Sequence, residues 1–89
     1  MKKIRLRGAN LSGADLREAN LSEADLTEAN LTGVNFQNAN MGGVDLTDAI
    51  LEDANLLGAN IPDHKLRRAK SLARTIMPQG EMYTKWENE

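Results

Sequence analysis

Residues that could carry out chemistry are numerous in this chain, but their types and spacing do not form a catalytic or metal-binding pattern. Cysteine is absent and His64 is the single histidine. This excludes disulfides and thiolate metal sites and leaves little basis for a histidine metal site. Acidic pairs such as Glu52 and Asp53 could attract Ca²⁺ weakly, but no run of oxygen donors resembles a dedicated calcium cage. We therefore predict that the chain is not an enzyme and has no catalytic residues, no metal and no cofactor.

The distribution of charge is the strongest feature that could serve recognition. Residues 8–63 carry ten acidic side chains and one basic side chain, Arg17, whereas both ends of the chain are basic. One interpretation is a solvated surface whose like-charged ends oppose end-to-end association. The other is an acidic surface that binds a partner, and the sequence leaves both open.

A five-residue repeat over residues 4–63 organises the backbone that must position these side chains. Two residues before the centre of each repeat the side chain is small, usually alanine, and two residues after it stand five of the region's six glycines. Glycine at that position is typical of a sharp bend. The central position itself is always apolar, at Leu6, Leu11, Leu16, Leu21, Leu26, Leu31, Phe36, Met41, Leu46, Leu51, Leu56 and Ile61.

A period of five fits neither a helix nor a flat strand. Five residues rotate an α-helix by about 500°, so the central leucines would drift around its axis. In a strand, odd spacing would place alternate leucines on opposite faces. A chain that bends at every repeat directs all of these side chains inward, and such a chain buries them by stacking coil on coil as a solenoid.

The pattern A(D/N)LXX, present as "ANLSG", "ADLRE", "ANLSE", "ADLTE", "ANLTG" and "ANMGG", resembles the pentapeptide repeat proteins. The resemblance implies an all-β solenoid, a right-handed quadrilateral parallel β-helix with four repeats per coil. Residues 1–63 would then form about three coils. The stretch "LRRAKSLARTIMPQG" is similar to the ending of many cyanobacterial members, with Gln79 where aspartate is usual. It implies that residues 64–89 form a short C-terminal capping helix and tail.

The residues of this C-terminal segment support a cap. Asp63 is a good helix N-cap, and Pro78 prevents a long continuation. Tyr83 and Trp86 either fold back onto this end or bind a partner. The predicted helix has an apolar stripe formed by Leu66, Ala69, Leu72 and Ala73.

The outward positions provide the candidate interaction surface. With four repeats per coil, four carboxylates share one face, and Arg5 and Lys65 bracket the column of its aspartates. Ile50 and Leu57 replace polar residues at outward positions, so they either lie beneath the tail or form a homodimer or partner site. The candidate surface therefore comprises Asp25, Glu28, Asp45, Asp48, Ile50, Leu57, Tyr83 and Trp86.

The expected function is that of a non-enzymatic structural or protein-interaction module with an unidentified protein partner. The alternative is a DNA-mimicking binder of DNA gyrase or topoisomerase, because the resemblance includes acidic rods that imitate duplex DNA. We expect no direct binding of nucleic acid, no membrane association, and a monomer or homodimer. No apolar run suggests a signal peptide or membrane span. This favours the bacterial cytoplasm, with a processed lumenal or periplasmic form left open.

Overall fold

Parallel pairing at a constant spacing defines the architecture. The computed structural model describes residues 4–84. Within residues 5–60, every β-bridge joins two residues that are 20 positions apart, and all of these bridges are parallel. Examples are Asn10 with Asn30 and Asn30 with Ile50. Four five-residue repeats therefore complete one coil, and each face of a coil contributes an isolated bridge instead of an extended strand.

Each repeat contributes the same set of hydrogen bonds to this ladder. The Leu31 amide donates to the Ile50 carbonyl of the next coil (2.8 Å), and the Asn30 amide donates to the Ala9 carbonyl of the previous coil (2.8 Å). Within the repeat, the Asn30 Oδ1 accepts the Thr32 amide (3.1 Å). The Asn or Asp before the central residue thus satisfies a backbone donor that the bend leaves unpaired.

The bends have positive φ whichever residue occupies them. Gly33 has φ of 70° and Glu18 has φ of 61°, and every corresponding position from residue 8 to residue 58 lies in the same left-handed region. The prediction of a sharp bend two residues after the central residue is confirmed from Leu6 to Leu56, whereas after Ile61 the equivalent residue, Asp63, is helical. Six of those positions carry a side chain, so the repeat tolerates some strain that glycine would avoid. They are Glu18, Glu23, Glu28, Asn38, Asp48 and Asp53.

The core is a column of central side chains inside the coils. Phe36 lies in the middle of the stack and is fully buried. Leu6, Leu11 and Leu16 in the first coil are only half-buried, although they pack against this core. Of the central residues predicted from the repeat, the structure buries Leu21, Leu26, Leu31, Phe36, Met41, Leu46, Leu51, Leu56 and Ile61.

After the repeats the chain forms only a short helix, α1 (Asp63–Leu66). Leu66 is fully buried and follows Leu46 by one coil length. Among residues 4–84 this is the single helix, so the prediction that the helix extends through Ala69, Leu72 and Ala73 is wrong. No side chain caps its first turn, which also makes the predicted N-cap role of Asp63 wrong, because Asp63 is the first helical residue.

Residues 68–78 return to the ladder instead of continuing the helix. The Asp48, Leu51 and Leu56 amides donate to the carbonyls of residues 68, 71 and 76 at 2.8–2.9 Å. The bridges of Ile50 with Ser71 and of Asn55 with Ile76 span 21 residues, so this layer contains one extra residue. The physical reason is that the amides at this edge of the last repeats need acceptors, and a helix beside them would supply none.

The end of the described chain folds back antiparallel onto this layer. Met77 donates its amide to Glu81 (2.7 Å), and Tyr83 donates its amide to Thr75 (2.7 Å). Ile76 and Met82 form an antiparallel bridge. Tyr83 is half-buried and packs against the core, whereas Trp86 lies outside the described residues.

Candidate functional site

Four predicted carboxylates lie on one side of the stack, and we call this surface the acidic face: Asp25, Glu28, Asp45 and Asp48. Asp25 and Asp45 are bridge partners in adjacent coils, so their side chains belong to one column. Glu28 and Asp48 occupy the bends that follow, with φ of 62° and 60°, and both are exposed. The repeat therefore places two rows of carboxylates side by side at the spacing of adjacent coils.

Basic side chains bound the acidic face at both ends. Arg7 Nε lies 3.4 Å from Asp25 Oδ2, and the arginine is largely exposed. Lys65 lowers the pKa of Asp45 weakly through its charge. Arg5, Arg7 and Lys65 line one groove together with Asp25 and Asp45. Arg5 and Lys65 thus bracket the column as predicted, and Arg7 makes the ion pair.

Hydrogen bonds keep the aspartates of this face ionised. Thr47 donates its hydroxyl to Asp45 Oδ1 (2.6 Å) and its amide to the same oxygen (3.0 Å). These bonds lower the pKa of Asp45, while the neighbouring Asp25 charge opposes that shift. Thr27, whose amide donates to Asp25 Oδ1 (3.1 Å), and Arg7 lower the pKa of Asp25. The face is therefore negatively charged at neutral pH.

The second row of carboxylates adjoins an apolar side chain. Glu28, Asp48, Ile50 and Lys70 line one open depression at the edge of the acidic face. Ile50 is half-buried, in the column where Asn30 and Ser71 are its bridge partners. Among residues 4–84, neither Glu28 nor Asp48 forms an ion pair within 4.0 Å. The depression thus combines exposed negative charge with accessible apolar surface.

The other predicted surface residues lie elsewhere. Leu57 is two repeats beyond Thr47, which places it on the opposite side of the coil, and it is 42% exposed. A Cβ added to Gly80 would lie 3.5 Å from the Leu57 Cδ1, so the tail passes near Leu57 without covering it. Sequence reasoning missed Met82, which is 56% exposed and follows Pro78 outside the repeat. The one feature of the sequence that could have indicated this exposed apolar residue was the apolar side chain itself.

Two further ion pairs stabilise other parts of the surface. Arg17 forms a bidentate pair with Asp15, at 2.9 and 2.7 Å, and lowers the pKa of that carboxyl to about 2. Arg74 pairs with Asp53 at 2.7 Å across adjacent layers. Among residues 4–84 no three His, Cys, Asp or Glu side chains are grouped to hold a metal ion.

The five-residue repeat also matches the repeats of a known protein family. The family model for pentapeptide repeats matches residues 4–43 and 29–68, with eight copies. The chain belongs to the pentapeptide repeat family. The proteins of this family form a right-handed quadrilateral β-helix and are generally structural or interaction modules. A comparison with curated proteins gives no match.

Two similar solved structures come from the cyanobacterium Nostoc. The pentapeptide repeat protein alr5209 from Nostoc Pcc 7120 is 32% identical, with a TM-score of 0.56 and 85% of this chain covered. HetL from Nostoc sp. strain PCC 7120, a pentapeptide repeat protein involved in heterocyst differentiation regulation, is 35% identical, with a TM-score of 0.56 and 89% covered. The matches span 62% of the alr5209 chain and 40% of the HetL chain. No helix within residues 4–84 is long and apolar enough to cross a membrane.

Proposed function

We propose that this pentapeptide repeat chain is a non-enzymatic protein-interaction module that binds its partner through the acidic face and the adjoining Ile50 depression. The observation that carries the proposal is the depression lined by Glu28, Asp48, Ile50 and Lys70. Two carboxylates without ion pairs flank an accessible apolar side chain there. Small binding surfaces usually combine charged groups, which orient the partner, with apolar area, which contributes affinity.

The backbone supports such a role because it fixes these side chains before a partner arrives. Glu28 and Asp48 lie at bends whose amides donate to the next layer at 2.9 Å. Ile50 lies in the ladder between Asn30 and Ser71. A surface on a rigid scaffold loses little conformational entropy on binding. The fitting partner is a protein segment with basic side chains around an apolar one.

The solved relatives are compatible with this proposal. HetL is described as involved in regulating heterocyst differentiation, and it is 35% identical to this chain. Regulation by a protein built from this repeat is consistent with binding to another protein. The first experiment should therefore identify the partner.

The test is affinity capture from native lysate, using the 89-residue chain and a variant with Glu28→Asn and Asp48→Asn. Asparagine removes both charges and accepts the left-handed backbone of these bends, as Asn38 does with φ of 61°. We expect the chain to enrich a protein that the double variant does not retain. Binding of the purified pair should weaken with rising salt.

Glu18→Asn is the matched control, because Glu18 occupies the same bend position with φ of 61° on another side of the coil. This variant should capture the partner as well as the unmodified chain. Equal capture by all three proteins would assign binding to another surface. No enrichment by the unmodified chain would remove the support for an interaction role.

A further inference from the structure

One side of the stack has three successive layers without a charged residue. We call this side the distal face, and its four layers are residues 14–18, 34–38, 54–58 and 75–79. It lies opposite the acidic face, because two of the four repeats in a coil separate Asn35 from Asp25. Its last three layers contain no Asp, Glu, Lys or Arg. The cores of protein interfaces are depleted in charged residues, so the composition of this side favours association.

The last two layers of the distal face present apolar side chains to solvent. Leu57 is exposed, and Ile76 and Pro78 in the next layer are half-buried. Pro78 lies beside Leu57 in one column, since the Gly58 amide donates to the Pro78 carbonyl (2.9 Å). The column before it contains Asn55 and Ile76, which are bridge partners.

Met82 extends this apolar surface. Ile76 and Met82 form an antiparallel bridge, and the flanking hydrogen bonds join Met77 to Glu81 and Tyr83 to Thr75. Ile76 and Met82 are therefore a non-hydrogen-bonded pair, whose side chains lie close together on one side of the ladder. Three large apolar side chains are exposed among residues 4–84, and two of them, Leu57 and Met82, lie on the distal face.

The first layer of the distal face differs, because it carries an ion pair. Arg17 donates from Nε and Nη2 to the two carboxylate oxygens of Asp15, at 2.9 and 2.7 Å, and both residues are exposed. The remaining N–H groups of Arg17 and the remaining lone pairs of Asp15 can form further bonds. Along the stack, the distal face thus changes from an ion pair to the amides of Asn35 and Gln37, and then to apolar side chains.

We propose that the distal face binds the distal face of a second copy of the chain, around a two-fold axis parallel to the stack. Such an axis keeps every layer at its own height, so each layer meets the same layer of the other copy. Apolar side chains then face apolar ones, and amides face amides. A two-fold axis perpendicular to the stack would reverse the order of the layers, and full overlap would then place Asp15 and Arg17 against residues 75–79.

Charge in the first layer fixes the lateral position of the axis. An axis between the column of Asp15 and the column of Arg17 places Asp15 against Arg17 of the second copy, and symmetry produces this contact twice. The same operation places Ile76 against Pro78 of the second copy. An axis on either column would instead bring like charges together, which is unfavourable.

The area of the distal face is sufficient for a weak dimer. The molecule is 35 Å long and measures 23 Å and 22 Å across its shorter axes. Two such sides in contact would bury on the order of 1,000 Å² in total, which is at the lower limit for a specific interface. We therefore expect a concentration-dependent dimer. Both acidic faces lie on its outer sides, so partner binding there does not compete with it.

Removal of the exposed leucine tests the apolar part of the contact in the intact chain. Sedimentation equilibrium should show a monomer–dimer equilibrium for the unmodified protein. Leu57→Gln should raise the dimer Kd by about tenfold or more, because the contact loses two apolar side chains. Glutamine suits this repeat position, as Gln37 shows one coil earlier.

Ile50→Asn is the matched control. It also replaces an outward apolar residue by one that its own column contains, at Asn30, but it lies on another side of the coil. This variant should leave the dimer Kd unchanged. An equal loss of the dimer in both variants would show that the effect is not specific to the distal face.

Charge reversal tests the position of the axis. Arg17→Glu and Asp15→Lys should each raise the dimer Kd by about tenfold or more, since each variant creates two like-charge contacts. An equimolar mixture of the two variants should recover the dimer, because both contacts between unlike copies then join opposite charges. Melting curves monitor folding, and Arg5 shows that the repeat position of Asp15 accepts a basic residue.

Asp15→Asn provides a second variant in case Asp15→Lys lowers the melting temperature. It keeps an acceptor for the Arg17 amide, which lies 3.2 Å from Asp15 Oδ1, and should still raise the Kd. A protein that stays monomeric at all concentrations would overturn the proposal. So would a dimer that Leu57→Gln does not weaken, or a mixture of the two charge variants that does not recover the dimer.

Discussion

At the residue scale, the bend position is where the repeat imposes the most backbone strain on a residue with a side chain. Glu18 holds φ of 61° and Arg74 holds φ of 59°, although each has a Cβ. The left-handed region costs an ordinary residue about 1–2 kcal/mol. The ladder fixes this backbone, because the Glu18 amide must reach the Gln37 carbonyl at 2.9 Å. The non-glycine bends therefore reduce the stability of the stack.

Replacing Glu18 by glycine should accordingly stabilise the protein. Relief of the left-handed strain exceeds the entropy that glycine adds to the unfolded chain, so the free energy of unfolding should rise by about 0.5–1 kcal/mol. Urea denaturation at one protein concentration measures the change. The reverse replacement, Gly33→Glu, should lower stability by a similar amount, since a Cβ there has only ordinary contacts at 3.9 Å. Unchanged midpoints for both variants would contradict this account.

Four aspartates should make the folded protein less stable at acid pH. Hydrogen bonds from neighbouring groups lower the pKa of Asp15, Asp25, Asp45 and Asp53 in the folded protein. The unfolded chain takes up these protons near the ordinary value of 3.8, before the folded protein does. Stability should therefore be fully present above that value and fall as the pH drops towards the lower folded values.

Thermal melting between about pH 6 and pH 2 measures this loss, and the melting temperature should fall mainly below about pH 4. Asp15→Asn keeps the acceptor for the Arg17 amide and removes one titrating group, so its melting temperature should fall less over the same range. A melting temperature that stays constant on acidification would show that these bonds do not affect folding.

At the element scale, the repeats could be predicted because each position of a repeat has one role, either pointing inward or bending the chain. The central side chain must point inward and the fifth residue must bend, so the spacing of Leu21, Leu26 and Leu31 predicts a solenoid with an apolar interior. The number of repeats per coil was implied by the resemblance to the pentapeptide repeat proteins. That number placed Asp25 and Asp45 in one column, where the structure pairs them.

The end of the chain was harder because its apolar spacing fits two structures. Leu66, Ala69 and Leu72 match the face of a helix, but Leu72 and Met77 also stand five residues apart, as in the repeat. One extra residue before Ser71 shifts the register and hides the continuation. The position of the tail beside Leu57 depends on long-range contacts near Gly80, for which the local sequence has no periodic signal.

Truncation after Ile61 tests whether the final layer and tail act as a cap. It removes the residues that pair with the edge of the last repeats, and it uncovers the fully buried Leu46, Leu51 and Leu56. We expect a lower melting temperature and association into mixed sizes, because an open ladder and apolar column pair with other chains. Size-exclusion chromatography with light scattering compares the truncated protein with the unmodified chain, and thermal melting gives the stability of each.

The control for that experiment is truncation after Thr84, which retains the final layer and the pairing of Thr75 with Tyr83. It should behave as the whole chain does. If the shorter truncation kept the same size and melting temperature as the control, the segment after Ile61 would have no capping role. Its aromatic residues would then become candidates for partner binding.

At the scale of the whole molecule, the charge pattern argues against imitation of duplex DNA. The acidic face occupies two adjacent layers, which are about 5 Å apart, and its column is bounded by Arg7 at one end and Lys65 at the other. Duplex DNA presents one charge for about every 1.7 Å of its axis over many turns. The longest dimension of this molecule is 35 Å. Its continuous negative surface is therefore far shorter than a wrapped duplex.

We consequently expect the purified chain to leave DNA gyrase supercoiling unchanged, even in molar excess over the enzyme. The assay follows conversion of relaxed plasmid with increasing amounts of the protein. Arg7→Glu and Lys65→Glu together would extend the negative column at both ends, so this variant is a sensitive second test. A dose-dependent loss of supercoiling with the unmodified chain would contradict the argument from length. In that event, Asp25→Lys with Asp45→Lys should restore supercoiling if the acidic face is responsible, since the reversal removes the negative column without altering the core.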